Sequence, residues 1–308
     1  MLSTVIATLG GEPDPAPDDA RSGAGKLPLA GRRILITGAA RGIGAACARR
    51  FHERGAPVAL LGIEPEALSA VAAECGDAPV FECDVRDRAR VEEAVQGAAR
   101  ELGGLDVVIA NAGVAAQLPL VGGDPDVFDR TIDVNLRGVF YTLRAAAPHI
   151  AHPGGYALAI SSLAAAVHAP LLGAYSASKA GVEALADTLR IELTSSGARV
   201  GVAYFAELDT DMTRRGFGTE AAASLTVTRR MRVAPLKAGV NAIERGVIRR
   251  SRRVVAPAWV GPVLPFRMLA QRLVDVVASR GLDPALEIAR REHAPLTTEL
   301  PEHDRPAA

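Results

Sequence analysis

The feature that most constrains the fold of this chain is a glycine-rich turn between an apolar segment and a run of helix-forming residues. The turn runs from Thr37 to Gly44, follows the apolar segment Ile34–Ile36 and leads into a helical pattern over 45–54. Its glycines, at positions 38, 42 and 44, allow a tight turn, a close approach of bare backbone to a ligand, and close packing of helix on strand. Amides at the start of such a helix can hold phosphate groups. The pattern therefore predicts a dinucleotide-binding turn.

Short β-type segments alternate with longer helical ones over most of the chain, which predicts a parallel sheet with right-handed crossovers and helices on both faces. The fold class is thus α/β, a doubly wound parallel sheet of the Rossmann type. The predicted strands are Ile34–Ile36, Val58–Leu61, Val80–Cys83, Val107–Ala110, Tyr156–Ile160, Val200–Phe205 and Val254–Ala256. The predicted helices lie near 43–54, 65–75, 87–102, 134–151, 175–196 and 236–250.

The chain divides into three parts by composition. Residues 10–28 concentrate glycine, proline and aspartate, which predicts a flexible tail over 1–28. Residues 29–256 hold the alternating pattern and predict one catalytic domain, within which 206–234 is a loop-rich segment suited to cover a substrate. Residues 257–308 predict a partly helical C-terminal extension, whose apolar side chains are expected to cover the substrate pocket or a subunit partner.

Charge and cysteine content limit the classes of function. Lysine plus arginine total 35 and aspartate plus glutamate total 35, so no basic field attracts nucleic acid, and a small-molecule partner is expected. Cys47, Cys75 and Cys83 lack zinc-type spacing, which predicts reduced buried thiols, no metal site and a cytoplasmic protein. Charged residues and prolines interrupt the apolar stretch 254–278, and no signal peptide or transmembrane segment is predicted.

A second motif, Tyr175 with Lys179, supplies the chemistry. The two residues are four positions apart in a helical segment, so their side chains share one face. A phenol that acts as a base near neutral pH must have its pKa lowered from about 10 to about 7, and this change corresponds to a free energy of roughly 4 kcal/mol. The Lys179 ammonium is expected to lower the pKa of Tyr175 by favouring the phenolate.

Together these motifs resemble the short-chain dehydrogenase/reductase family. That family has a Thr-Gly-x-x-x-Gly-x-Gly cofactor turn and a Tyr-x-x-x-Lys active site. Two further signatures stand in the same order: Asp84-Val85 after the third strand, at the family's adenine-contacting position, and the Asn-Ala-Gly motif Asn111–Gly113 after the fourth. The resemblance covers about Arg33 to Val255.

The resemblance implies site residues by position. Four are catalytic: Tyr175 carries the proton, Lys179 holds the nicotinamide ribose, Ser162 hydrogen-bonds the substrate oxygen, and Asn135 anchors a water linked to Lys179. Ser161 remains an alternative to Ser162, and an isolated asparagine such as Asn135 is more often a helix cap or a core amide. The implied cofactor contacts are Thr37, Gly38, Arg41, Gly42, Ile43, Gly44, Asp84, Val85, Asn111, Ala112, Gly113, Tyr175, Lys179 and Thr210.

Two positions depart from the family pattern. The family's Pro-Gly after the sixth strand is missing, although Thr210 is kept, so the loop can hold nicotinamide or substrate differently. The acidic residue that usually grips the ribose 2′-hydroxyl is replaced by Gly62. Glu64 can substitute for that acid, whereas Arg41 can pair with a 2′-phosphate. The expected cofactor is NAD(P), with a preference for NADP.

The expected function is hydride transfer between a nicotinamide cofactor and the hydroxyl or carbonyl group of a small hydrophobic alcohol or ketone. Two alternatives stay open: a cofactor-binding regulatory protein without turnover, and an epimerase or dehydratase of related fold. The resemblance also implies a homodimer or homotetramer, formed through the helices near 134–151 and 175–196. There Ala177, Ala180, Gly181 and Ala184 allow close approach.

Overall fold

The structure of the chain is a computed structural model that describes residues 28–216, 219–225, 233–279, 281–292 and 296–297. Except for Pro28, the predicted tail 1–28 lies outside the described residues. The division of the chain into tail, catalytic domain and extension stays a prediction.

Seven strands form one fully parallel sheet in the order β3-β2-β1-β4-β5-β6-β7. The strand order reverses between β1 and β4, which is where doubly wound folds bind their ligands. The predicted fold class is therefore confirmed, with strand ends that differ by one residue at most. The strands are β1 (Ile34–Thr37), β2 (Val58–Gly62), β3 (Val80–Glu82), β4 (Val107–Ala110), β5 (Tyr156–Ile160), β6 (Arg199–Phe205) and β7 (Arg253–Ala256).

Helices flank both faces of the sheet. They are α1 (Gly42–Glu53), α2 (Pro65–Glu74), α3 (Arg88–Glu101), α4 (Pro125–Ile132), α5 (Gly138–Ile150), α6 (Gly173–Glu192), α7 (Asp211–Gly216), α8 (Glu220–Ser224), α9 (Leu236–Arg249), α10 (Val260–Val263), α11 (Arg267–Ala278) and α12 (Leu282–Glu292). Helix α4 was not predicted; it begins with an Asp124 cap and proline at its first position. The predicted helix 134–151 begins with an unpredicted π-helical turn, Asp133–Arg137.

The core has one layer on each face of the sheet. Ile34 and Ile36 pack into one layer, and Leu35 between them packs into the other. All three are fully buried. This alternation within an uninterrupted apolar run is what a strand covered on both faces requires.

The C-terminal helices pack onto the segment that follows β6. Ala285 and Ala289 of α12 form a small cluster with Ala221 and Leu225. Farther along the chain, Thr297 hydrogen-bonds to the backbone of Ala115 in both directions, at 3.0 and 3.1 Å. None of the helices in the described part of the chain is both long and apolar enough to cross a bilayer.

Candidate active site

A cleft of about 560 Å³ opens at the carboxyl ends of the strands. Its lining includes the glycine turn, the segment after β4, the Ser162–Tyr175–Lys179 group, and residues of α10 and α11. Because this edge of the sheet collects the ends of all parallel strands, residues distant in sequence meet there.

Asn111 fastens the glycine turn to the end of β4. Its side-chain amide donates to the carbonyl oxygens of Thr37 and Gly38, at 2.9 and 3.1 Å. In the opposite direction, Oγ1 of Thr37 accepts from the backbone amides of Asn111 and Ala112, at 3.0 and 3.1 Å. Thr37 and Asn111 thus orient the backbone around the turn.

The glycines of the turn are required by crowding and by backbone conformation. A Cβ at Gly44 would overlap the carbonyl oxygen of Gly38, and a Cβ at Gly38 would stand 2.8 Å from Cα of Ala112. Gly38 and Gly42 also have φ values of +64° and +54°, which side chains rarely adopt. Gly42 is otherwise open, since a Cβ there would meet only Thr210, at 3.9 Å. Ile43, the next residue, begins α1 with it and lines the cleft.

The two charged residues that favour different cofactors bind each other. Nε of Arg41 donates to Oε2 of Glu64 at 2.8 Å, and a second nitrogen contacts Oε1. Gly62 lies on the same wall of the cleft and leaves the end of β2 without a carboxylate.

Asp84 and Val85 follow β3 and line the same cleft. The Asp84 carboxylate accepts from the guanidinium of Arg86, with distances down to 2.6 Å. The Val85 side chain is buried and fills the space that a Cβ at Gly138 would need.

Ser162, Tyr175 and Lys179 come together where β5 ends and α6 begins. The Ser162 hydroxyl is hydrogen-bonded to the Tyr175 side chain and lies 3.3 Å from the carbonyl oxygen of Phe205. Nζ of Lys179 lies 5.6 Å from the centroid of the Tyr175 ring. The neighbouring hydroxyl of Ser161 instead donates a hydrogen bond to the carbonyl oxygen of Lys179, at 2.8 Å. Of the two serines, Ser162 is thus the one in contact with the phenol.

The pKa of Tyr175 moves in the direction opposite to the prediction. Burial raises it above the ordinary value of a tyrosine, and the hydrogen bond with Ser162 lowers it only in part. Burial also lowers the pKa of Lys179 to about 8, while its ammonium donates to the carbonyl oxygen of Ile160 at 3.0 Å. In the protein alone, the desolvation of both groups therefore outweighs their attraction.

Asn135 lies in the π-helical turn and is fully buried. Its side chain accepts from the amide of Val114 at 2.7 Å and donates to the Val114 carbonyl at 2.9 Å. A Cβ at Gly113 would stand 3.1 Å from Oδ1 of Asn135 and 3.4 Å from Nζ of Lys179. Asn135 thus bridges the core, as the alternative interpretation held, and like Lys179 it lies close to Gly113. Short π-helical turns occur frequently at functional sites.

Thr210 is buried beside the glycine turn, and its hydroxyl meets that of Thr213 at 3.1 Å. Phe205 is buried in the core and also lines the cleft. Glu207, Gln117 and Thr297 are among the polar residues of the lining that were not predicted from the sequence. Glu207 carried a signal, because it follows directly where the family's Pro-Gly is missing.

Comparisons with known proteins agree with this geometry. The family model for short chain dehydrogenase matches residues 32–221. The chain is 38% identical over 170 residues to 2-dehydro-3-deoxy-L-rhamnonate dehydrogenase (NAD(+)) of a Sphingomonas species, covering 54% of this chain and 68% of that protein. It is also 38% identical over 203 residues to glycine betaine reductase ATRR of Emericella nidulans, covering 64% of this chain but only 16% of that longer protein.

Solved structures are similar over the same region. A short chain dehydrogenase from Mycobacterium paratuberculosis bound to NAD superposes with a TM-score of 0.66 at 28% identity, covering 74% of this chain and 97% of that one. The chain therefore belongs to the short-chain dehydrogenase/reductase family. It is an oxidoreductase of that family and acts on CH–OH or C=O groups.

Proposed function

We propose that the protein transfers a hydride between NADP and the carbonyl or hydroxyl carbon of a hydrophobic ketone or alcohol, with Tyr175 as the proton carrier. The observation that supports the proposal is the placement of Ser162, Tyr175 and Lys179 in one cleft with the glycine turn. This grouping supports catalytic roles for the family's usual serine, tyrosine and lysine.

The residues of the cleft fit a nicotinamide dinucleotide. Gly38, Gly42 and Gly44 leave bare backbone in front of the first amides of α1, which suits a pyrophosphate. Gly113 leaves room beside the Lys179 ammonium, which suits a ribose. When bound, the cofactor supplies or accepts the hydride.

Tyr175 donates a proton to the substrate oxygen in reduction and removes it in oxidation. Because burial keeps the phenol protonated at neutral pH, the protein alone is poised for donation. Ser162, already hydrogen-bonded to Tyr175, orients the oxygen that receives the proton. Lys179 stabilises the phenolate that remains, and Asn135 fixes the backbone of Val114, which follows Gly113.

The preference for NADP is supported by the charges at the end of β2. Gly62 cannot repel a 2′-phosphate, and the Glu64 carboxylate is neutralised by its ion pair with Arg41. A guanidinium has five N–H donors, so Arg41 can bind Glu64 and a phosphate together.

A hydrophobic substrate is supported by the C-terminal extension, which contributes apolar residues to the cleft. These are Trp259, Val263, Ala270, Leu273 and Val274. Leu163 and Val167 add further apolar side chains to the lining of the same cleft.

We also propose a homodimer or homotetramer and a cytoplasmic location. Phe140 and Ile191, on α5 and α6, are 45% and 75% exposed, and Ala177 and Ala184 leave an open face on α6. Gly181 instead packs against Leu136 of the same chain, since a Cβ at Gly181 would overlap that side chain. A Phe140→Glu variant should sediment as a smaller species than the unmodified protein.

The cytoplasmic location is supported by three buried free cysteines.

The proposed reaction is tested by NADPH and NADH oxidation with a panel of bulky and small ketones, followed by absorbance. Tyr175→Phe should retain cofactor affinity, measured by calorimetry, and lose about 10²–10⁴-fold in kcat. A wild-type protein that binds cofactor and turns over none of the ketones or alcohols would favour the regulatory alternative. Wild-type turnover by Tyr175→Phe would disprove the role of the phenol.

A further inference from the structure

We propose that Glu207 makes the active site selective for substrates that carry a cationic amine on an apolar body. The inference rests on the proposed function and specifies its substrate class. Glu207 lies two residues after the end of β6 and lines the same cleft as Tyr175 and Ser162.

The backbone holds Glu207 in a fixed position. The preceding residue, Ala206, donates to the carbonyl oxygen of Ala256 at 3.0 Å. The carbonyl oxygen of Glu207 itself accepts from the amide of Ala234 at 2.8 Å, and the amide of Asp209 donates back to Ala234 at 2.8 Å. The segment is therefore anchored on both sides of the carboxylate.

The Glu207 carboxylate has no cation to balance it among the residues that the structure describes. It forms none of the ion pairs found there, whereas Glu64, Glu183 and Glu244 each pair with an arginine. Burial raises the pKa of the Glu207 carboxyl above its ordinary value, and no charged neighbour offsets this effect. A carboxylate in such a place is stabilised when a ligand supplies the positive charge.

The surroundings favour an ammonium group over a neutral hydroxyl. The lining of the same cleft includes Trp259, which follows β7, together with Val263 and Leu273. An aromatic face attracts a cation but gives a hydroxyl little, and aliphatic walls accept the carbon skeleton. Because β6 and β7 are paired neighbours, Glu207 and Trp259 follow adjacent strand ends. An aminoketone or amino alcohol with an apolar chain combines the two requirements.

The test compares two ketones of equal shape. One is a phenyl ketone with a terminal trimethylammonium group, and the other carries tert-butyl in its place. Wild type should prefer the cation by about tenfold in kcat/KM. Glu207→Gln should bring that ratio close to one, chiefly through a lower kcat/KM for the cationic ketone. Asp209→Asn, which removes a charge from the same segment but outside the cleft, should keep the preference.

Failure of this inference is distinguishable from failure of the proposed function. A wild type that reduces both ketones equally well, or a Glu207→Gln variant that loses both equally, overturns the role of Glu207 but not the reaction. If neither ketone is reduced, calorimetry still tests the cation site by measuring the binding of benzyltrimethylammonium at saturating cofactor. Binding about tenfold tighter to wild type than to Glu207→Gln supports the cation site, and equal or absent binding overturns it.

Discussion

Arg41 and Glu64 form an ion pair on the wall of the cleft that also contains Gly62, with 2.8 Å between Nε and Oε2. The pair joins the glycine turn to the start of α2. One residue attracts a 2′-phosphate and the other repels it, so the cofactor preference depends on how the pair divides its charge. Both side chains are about one third exposed, which leaves them open to a ligand.

Removing the charge of Glu64 and removing the charge of Arg41 should shift the cofactor preference in opposite directions. Glu64→Gln frees the Arg41 guanidinium, so the ratio of kcat/KM for NADPH to that for NADH should rise about tenfold. Arg41→Gln should lower the same ratio. Glu74→Gln, which breaks a comparable surface pair with Arg49, should leave it unchanged. If all three variants keep the wild-type ratio, the pair does not contact the cofactor.

The buried Lys179 should give the protein a specific dependence of stability on pH. Burial lowers the pKa of Lys179 from 10.5 to about 8. Since the unfolded chain holds this proton more tightly, the destabilisation is fully present below pH 8 and disappears as the pH rises to 10.5. Relative to Lys179→Met, wild type should gain about 3 kcal/mol in free energy of unfolding over that window.

Denaturant unfolding at a series of pH values measures this difference. The exposed Lys237→Met variant is the control, and its difference from wild type should stay constant across the same range. A constant difference for Lys179→Met as well would mean that Lys179 titrates as it does in water.

Gly44 should tolerate no side chain, because a Cβ there would overlap the carbonyl oxygen of Gly38. Gly44→Ala should cost about 3 kcal/mol in free energy of unfolding and reduce cofactor affinity at least about tenfold. The matched variant is Gly261→Ala in α10, where a Cβ would meet only Val255, at 3.8 Å. That change should be neutral or stabilising by up to about 1 kcal/mol. Equal effects of the two substitutions on cofactor affinity would contradict the role of the turn.

Leu273 should contribute to the binding of hydrophobic substrates. Leu273 and Leu269 are one turn apart on α11 and are both 67% exposed, but only Leu273 lines the cleft. Leu273→Ser should raise KM for a bulky ketone by up to about tenfold and leave that for acetone unchanged. Leu269→Ser should change neither. Steady-state kinetics test this prediction: an unchanged KM in Leu273→Ser would place the substrate away from α11, and equal changes in both variants would show an unspecific effect on the helix.

The sequence predicted the parts of the molecule that local patterns determine. Three features depend only on residues that are close in the sequence: the strand Ile34–Ile36, the glycine turn, and the helical spacing of Tyr175 and Lys179. The sheet and the cleft could therefore be predicted. The π-helical turn around Asn135 could not, because one extra residue in a helix leaves no separate periodicity. Contacts such as Thr297 with Ala115 join distant segments without any motif. The direction of the pKa shift at Tyr175 depends on burial, which spacing alone does not give.

The bonds from Asn111 to the glycine turn span 74 residues of sequence, from Thr37 at the end of β1 to the segment after β4. During synthesis at about 5–20 residues per second, roughly 4–15 s separate the two ends of this connection. Until the later segment leaves the ribosome, β1 lacks one of its two neighbours in the sheet and the turn lacks the amide that holds its carbonyls. A nascent chain therefore cannot gain stability from bound dinucleotide until the segment after β4 has been made.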